Sequence, residues 1–274
     1  MEQKGHNLRS KEIDKVIDEM TLFNDDLMSK VFERNFSATE YMLRTILNRR
    51  DVHVIDVKGQ YDLTSPYVDG RNITLDIRAE NDRGEEFDVE VQRDSAGSHV
   101  RRARYHGSMM DVRMLHENQE FKELRDSYVI FICQHDKFRL GMPVYHVDKI
   151  VRETGKLFND GSHIIYVNGR YKGNNNIGKL VHDFSVADAD DMYIKELADS
   201  VRHFKKNEEG RKEMTDPVER YAKKYAKEKS LEDQTMYIKN LMESMKLSLD
   251  QILDGMKISG KDREYIIGQL QSHN

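Results

Sequence analysis

Apolar and polar residues alternate in two neighbouring stretches, 73–79 and 86–92. Ile73, Leu75 and Ile77 share one face of the first, and Thr74, Asp76 and Arg78 the other. On the second, Phe87, Val89 and Val91 oppose Asp88, Glu90 and Gln92. A period of two marks a β-strand with one apolar face. The intervening Glu80–Glu85 is rich in turn formers and suits a short hairpin connection. With both apolar rows on one core, both polar rows lie on the opposite surface. A loop of three or five residues then sets Asp76 directly across from Glu90.

Further strands are predicted at 52–58, 127–133 and 163–168. Helices are predicted at 25–34, where Leu27, Val31 and Phe32 share a side, and from Ser37 onward, with Leu43, Ile46 and Leu47 as an apolar stripe. Ser37 and Glu40 have the spacing of a capping box. Between the third and fourth strands a helix fits 98–118, its packing face marked by Ala103, Gly107, Met110 and Met114. Residues 168–176 read as a loop, and a helix around 190–206 closes the globular part. Hairpin-linked strands followed by a crossover helix give an α/β fold with a mixed sheet.

Two carboxylates placed side by side repel unless a cation separates them, and an oxygen-rich pair suits Mg²⁺ or Mn²⁺. Spacing alone leaves a plainer reading, two solvated residues on an exposed sheet face. Asp76, then Glu90-Val91-Gln92 fourteen residues on, resembles the D…E-x-K core of PD-(D/E)XK nucleases, with Gln in the Lys position. The longer pattern is similar to one branch, the PD-(D/E)XK family transposases related to recombination-promoting nucleases, in which E-x-Q replaces E-x-K. An Arg/Tyr-bearing helix follows (Val100–Tyr105), Asn24–Phe32 resembles the opening helix, and 128–132, 163–168 and 183–192 resemble later segments. The likeness covers roughly residues 20–215.

That resemblance implies a restriction-endonuclease-like mixed sheet flanked by helices and a metal-dependent DNA endonuclease that hydrolyses phosphodiester bonds, in recombination, element mobility or phage defence. It favours Asp76 and Glu90 as metal ligands, with the Val91 carbonyl and waters completing the Mg²⁺ or Mn²⁺ shell. Gln92 is the third catalytic position; it offers neutral hydrogen bonds where lysine offers a charged one. Glu40 is a further acid that could reach the metal, although its capping position is a sufficient structural reason for it. Arg101, Arg102 and Tyr105 are candidate nucleic-acid contacts, set against a merely solvated helix face. Asp88 shares the face of Glu90 and could contribute there, but a solvated role is the expectation. The rival class is a nuclease-like scaffold without catalysis, acting as a nucleic-acid-binding or protein-interaction module.

Composition adds limits. The 274 residues are 38% hydrophobic and 34% charged, with a formal net charge of −5. That charge works against unaided phosphate binding, but local basic groups such as Arg101, Arg102 and Arg104 matter more than the total. The basic run between Arg220 and Lys229 reads as a solubilising face. No apolar run approaches a bilayer span, and the start of the chain lacks the apolar stretch of a signal peptide. The single cysteine, Cys133, falls in an apolar strand and reads as a buried thiol. A cytoplasmic protein without a membrane partner is expected, with DNA as partner and a homodimer as a plausible assembly. The eleven histidines show no zinc spacing, and no P-loop or serine elbow is present. Expected organisation is an N-terminal arm or leader helix at 1–20, a nuclease-like domain at 21–215 and a helical region at 216–274, with Pro217 marking the boundary.

Overall fold

The computed structural model describes residues 13–93, 97–245 and 247–272, without the side chains of 220–229, 232, 243, 245, 261, 271 and 272. Most of the expected N-terminal arm (1–12) and the side chains of Tyr221, Tyr225, Met245 and the basic run 220–229 lie outside the described residues. The chain divides into two compact units, Met1–Met214 and Thr215–Asn274.

The first unit begins with α1 (residues 13–19) and α2 (Asp25–Phe32). Asn24 caps α2, its side chain accepting from the backbone N–H groups of Asp26 and Leu27, and Leu27, Met28, Val31 and Phe32 are buried. In α3 (Phe36–Leu47) the cap is Asn35, which accepts from Ala38 N–H. The capping box expected of Ser37 and Glu40 is therefore not formed. Asparagine is as good a cap as serine, and moving the cap two residues earlier, from Ser37 to Asn35, frees Glu40 for other partners.

Six strands form one sheet, in the order β1 (Val54–Leu63), β2 (Ile73–Asn81), β3 (Glu86–Gln92), β4 (Ser127–Cys133), β8 (Ser162–Asn168), β5 (Val144–Val147). β1, β2 and β3 pair antiparallel, β3, β4 and β8 run parallel, and β5 returns antiparallel to β8. This is the mixed sheet flanked by helices that the sequence predicts. β5 and the small hairpin β6 (Ile150–Val151) and β7 (Lys156–Leu157) are additions to that expectation. They are short and largely exposed, so they carry little apolar periodicity.

Helix α4 (Val100–Met114) makes the crossover from β3 to the parallel β4. Its Ala103, Met109 and Met110 pack with Val129, Phe131 and Cys133 of β4. Every residue of β4 is buried, so its other face is covered too. There α2 and α3 meet β1, and helices α5 (Asn176–Ser185) and α6 (Lys195–Lys206) pack with them. Phe184 of α5 contacts the rings of Phe23 and Phe32. The start of α5 falls at the end of the predicted loop, where Asn175 caps it by accepting from Gly178 N–H.

Helix α7 (Glu208–Met245) runs through Pro217 without a break. The proline thus costs a helical hydrogen bond but does not end the helix. In the second unit, Leu231 and Ile238 of α7 gather with Ile252 and Leu253 of α8 (Leu249–Gly255) and Ile266 of α9 (Gly260–Ser272). Leu241 packs at the edge of this small core and Met236 is 61% exposed. The tail therefore builds an apolar cluster of its own.

One close approach ties β1 to α2. A Cβ added at Gly59 would stand 2.5 Å from the carbonyl oxygen of Ser29. Gly59→Ala is expected to lower unfolding stability by about 1–3 kcal/mol, read from urea denaturation. An unchanged midpoint would mean that the two elements part easily.

Candidate active site

The hairpin that carries the acids is locked at its loop. Asn81 accepts through its side chain from Arg83 N–H and Glu85 N–H, and Gly84 takes a φ of 74°. Arg49, just past α3, grips Glu85 with both terminal nitrogens, at 2.9 and 3.0 Å, and holds Asp51 as well. With the loop set, Ile77 pairs with Val89 and Arg78 with Asp88. The same register carries Asp76 to Glu90.

At that point side chains take over from the backbone ladder. Asp76 N–H donates to Glu90 Oε1 at 3.1 Å, and Val91 N–H donates to Asp76 Oδ2 at 2.9 Å. The two acids are thus crossed over one another's strands. Asp76 is partly buried, and Glu90 and Asp88 are fully buried. The solvated role expected of Asp88 is therefore incorrect. Asp88 and Glu90 share a register with Val129 and Phe131, the β4 residues beneath α4. The crossover helix seals that face.

Two α4 side chains complete the site. Arg102 ion-pairs with Glu90 Oε2 and donates from Nε to His106 Nε2 at 3.2 Å. His106 Nδ1 lies 2.8 Å from Asp88 Oδ2. Since Nε2 accepts, the proton belongs on Nδ1, and the imidazole is neutral. Burial holds its pKa below the ordinary value despite the pull of Glu90. Asp88, Glu90 and His106 offer ligand atoms within 4.8 Å of one another. The sequence reading does not single out His106. The available signal is Arg102 and His106 at one-turn spacing on α4, with His106 beside the predicted packing residue Gly107.

The electrostatics are those of an underneutralised anion cluster. Burial, then the Glu90 charge, pushes Asp76 up to about 8. Burial, then Asp88, pushes Glu90 up to about 8 against the opposing effect of Arg102. Burial and Asp76 hold Asp88 well above the usual carboxylate range, and its Oδ1 has no hydrogen-bond partner among the described residues. Oxygen donors that resist ionisation for want of positive charge fit a hard divalent cation.

Other sequence candidates fall as follows. Glu40 is not at this site: its Oε1 accepts from Val54 N–H at 2.9 Å and its Oε2 pairs with Arg44 at 2.8 Å. The helix acid whose charge is felt at Asp76 is Asp25, in the first turn of α2. Gln92 lies on the Glu90 side of β3, half-buried, and its side chain has no hydrogen bond among the described residues. Arg101, Arg102 and Tyr105 line a pocket of about 700 Å³ together with Arg71 and His99. There Arg101 is exposed, Arg102 is turned to Glu90, and the Tyr105 hydroxyl donates to the Arg71 carbonyl at 2.6 Å. Cys133 is buried, and burial raises its thiol to about 11. Among the described residues no helix is long and apolar enough to cross a membrane.

A family model, the PD-(D/E)XK nuclease family transposase, matches residues 31–241. The chain belongs to this family. No curated protein and no solved structure matches it. Within this PD-(D/E)XK protein the matched span includes β1 to β8 and so holds Asp76, Glu90 and Gln92.

The raised carboxylates have a consequence for stability. Asp76 titrates near 8 in the fold and near 3.8 when unfolded. Between those values the native state holds the extra proton, so stability falls as pH rises and the full penalty stands above about pH 8. Asp76→Asn removes that penalty and keeps an acceptor for Val91 N–H. The metal-free variant should melt above wild type at pH 8 by about 3 °C or more, with the gap closing toward pH 5. A pH-independent gap in thermal melts would contradict the buried like-charge pair.

Proposed function

We propose that this chain is a metal-dependent DNA endonuclease that hydrolyses phosphodiester bonds. The reading rests on one observation. In a member of a nuclease family, Asp76 and Glu90 stand side by side in a largely buried setting where the charge of Arg102 does not balance the carboxylates. DNA recombination, element mobility and phage defence are the settings that such an activity fits.

In this reading Asp76 and Glu90 hold Mg²⁺ or Mn²⁺, with the Val91 carbonyl beside them. A bound ion supplies the charge that polarises a scissile phosphate and acidifies a water. Arg102 steadies Glu90 from the helix side, and His106 with Asp88 steadies Arg102. Gln92 donates a neutral hydrogen bond to the reacting phosphate, which leaves charge stabilisation chiefly to the ion. Arg101 and Arg71, in the pocket beside this cluster, approach the nucleic-acid backbone. Homodimerisation is the simplest way for one such site per chain to cut both strands.

A non-catalytic nuclease-like scaffold is the second reading, and one observation favours it. Arg102 ion-pairs with Glu90 Oε2 and so already neutralises part of its charge. Metal dependence separates the two. With supercoiled plasmid and Mg²⁺, wild type should nick, a chelator should stop it, and Asp76→Ala and Glu90→Ala should each abolish it. Retained nicking in either folded variant sinks the assignment.

Gln92→Lys should keep or raise the nicking rate, since it restores a charged donor beside the phosphate. Total loss in a folded Gln92→Lys protein would show that the amide is needed for something a cation cannot do.

A further inference from the structure

We infer that a cationic cleft beyond the carboxyl ends of β3, β4 and β8 is a binding track for the phosphate backbone of nucleic acid. It begins at Arg93, the residue after Gln92, and rests on the nuclease reading above. The cleft has a volume of about 760 Å³ and is lined by Arg93, Lys137, Arg139, Arg170 and Lys172, with Asp136 as its one carboxylate. Five cations against one acid stand out in a chain whose formal net charge is −5. A local field of this kind attracts a polyanion whatever the overall charge.

Its position follows from the sheet. Arg93 is the residue after Gln92, at the end of β3. Lys137 and Arg139 lie on the loop leaving β4, and Arg170 and Lys172 on the loop leaving β8. These three strands are parallel neighbours, so their ends open on the same edge. The crevice outside the carboxyl ends of parallel strands is where open α/β sheets take ligands.

Both loops are built rather than loose. Asp136 spends its carboxylate on the β4 loop: Oδ1 accepts from Arg139 N–H at 2.9 Å and Tyr145 Oη at 2.7 Å, and Oδ2 accepts from Gly141 N–H at 2.8 Å. The single acid of the cleft is thus engaged in shaping it. Asn168 does the same for the β8 loop, accepting from Arg170 N–H at 2.9 Å and donating to the Met142 carbonyl at 3.0 Å. Gly169 N–H donates to the Cys133 carbonyl at 2.7 Å, which stitches the two loop bases together. Among the described residues Arg139, Arg170 and Lys172 form no ion pair, and all three are exposed. Charge held on ordered loops costs less entropy to bring onto a ligand.

Phosphate is the chemistry, and a polymer is the occupant. A cleft of this volume, open along the sheet edge and starting one residue from Gln92, fits a backbone that continues from a scissile bond. Arg101 and Arg71 stand beside the Arg102–Glu90 pair; this cleft adds a second group of cations beyond β3.

The test uses the full chain in a chelator, so that no cleavage occurs, and a short fluorescein-labelled DNA duplex followed by anisotropy across a NaCl series. Arg139→Glu/Arg170→Glu/Lys172→Glu should weaken binding by about tenfold or more, and should flatten the log–log salt slope by about 0.9 for each phosphate that is no longer neutralised. Arg139→Gln/Arg170→Gln/Lys172→Gln should move both readouts the same way but less, and serves if the reversed protein fails to fold. Ion binding at Asp76 and Glu90 should raise the melting temperature of wild type when Mg²⁺ is added, and both variants should show the same rise. Binding and slope equal to wild type in either folded variant overturn the cleft, and so does a wild-type chain that does not bind the duplex. Inorganic phosphate at matched ionic strength should displace DNA no better than NaCl. Selective displacement by phosphate would mean a small-anion site and overturn the polymer. Failure of the nuclease reading is seen separately, as nicking that survives Asp76→Ala, and leaves the binding comparison to be read on its own.

Discussion

Asp76, Asp88 and Glu90 share a space from which water is largely excluded, and Arg102 is the cation that meets them there. Like charges at close range in a poorly solvated setting cost folding free energy. The surrounding structure has to hold them against that repulsion. Much of the local architecture can be understood as the means of doing so.

Three restraints act together. The first is the hairpin loop, where Asn81 and the two-pronged grip of Arg49 on Glu85 leave one register available. A slip of one residue would send Asp76 and Glu90 to opposite faces. The second is the exchange of hydrogen bonds between each acid and the other strand's backbone. The third is α4, whose Arg102 and His106 cap Glu90 and Asp88 while its Ala103 and Met110 anchor it on β4. Helix packing and charge placement are thus one event, because the helix that buries the acids also brings their counter-charge.

A second buried ionic network, around Arg78, makes a useful contrast. Arg78 and Glu86 are both buried and pair at 3.0 Å, with Glu80, Asp56 and Arg113 joining them around the ring of Tyr61. There the charges alternate in sign, and the arginine is held above its already high value by Glu86 and Glu80 despite burial. That network pairs each of its acids with an arginine, although Arg78 Nε, Glu86 Oε2 and Arg113 Nε have no hydrogen-bond partner among the described residues. In the neighbouring acid cluster Arg102 faces three carboxylates, and that difference in charge balance separates a scaffold from a site.

The strands, the hairpin and the crossing of Asp76 with Glu90 were legible in the chain, because alternation with period two and a short turn restrict register to very few choices. The burial of Cys133 was legible for a different reason, its place in a strand of almost continuous apolar residues. Asp88 and His106 were not, since a strand acid that faces water and one that faces a helix have the same local pattern. Only the placement of α4 decides between them. Glu40 had a sound local reason to be a cap, and lost it when Asn35 took that role and the start of β1 came within its reach. The loops after β4 and β8 look like ordinary polar connectors along the chain. Their cations converge only because parallel strands end on one edge of the sheet. Local periodicity determines which residues share a face, but which face is covered, and by what charge, is settled by long-range packing that no short window of sequence contains.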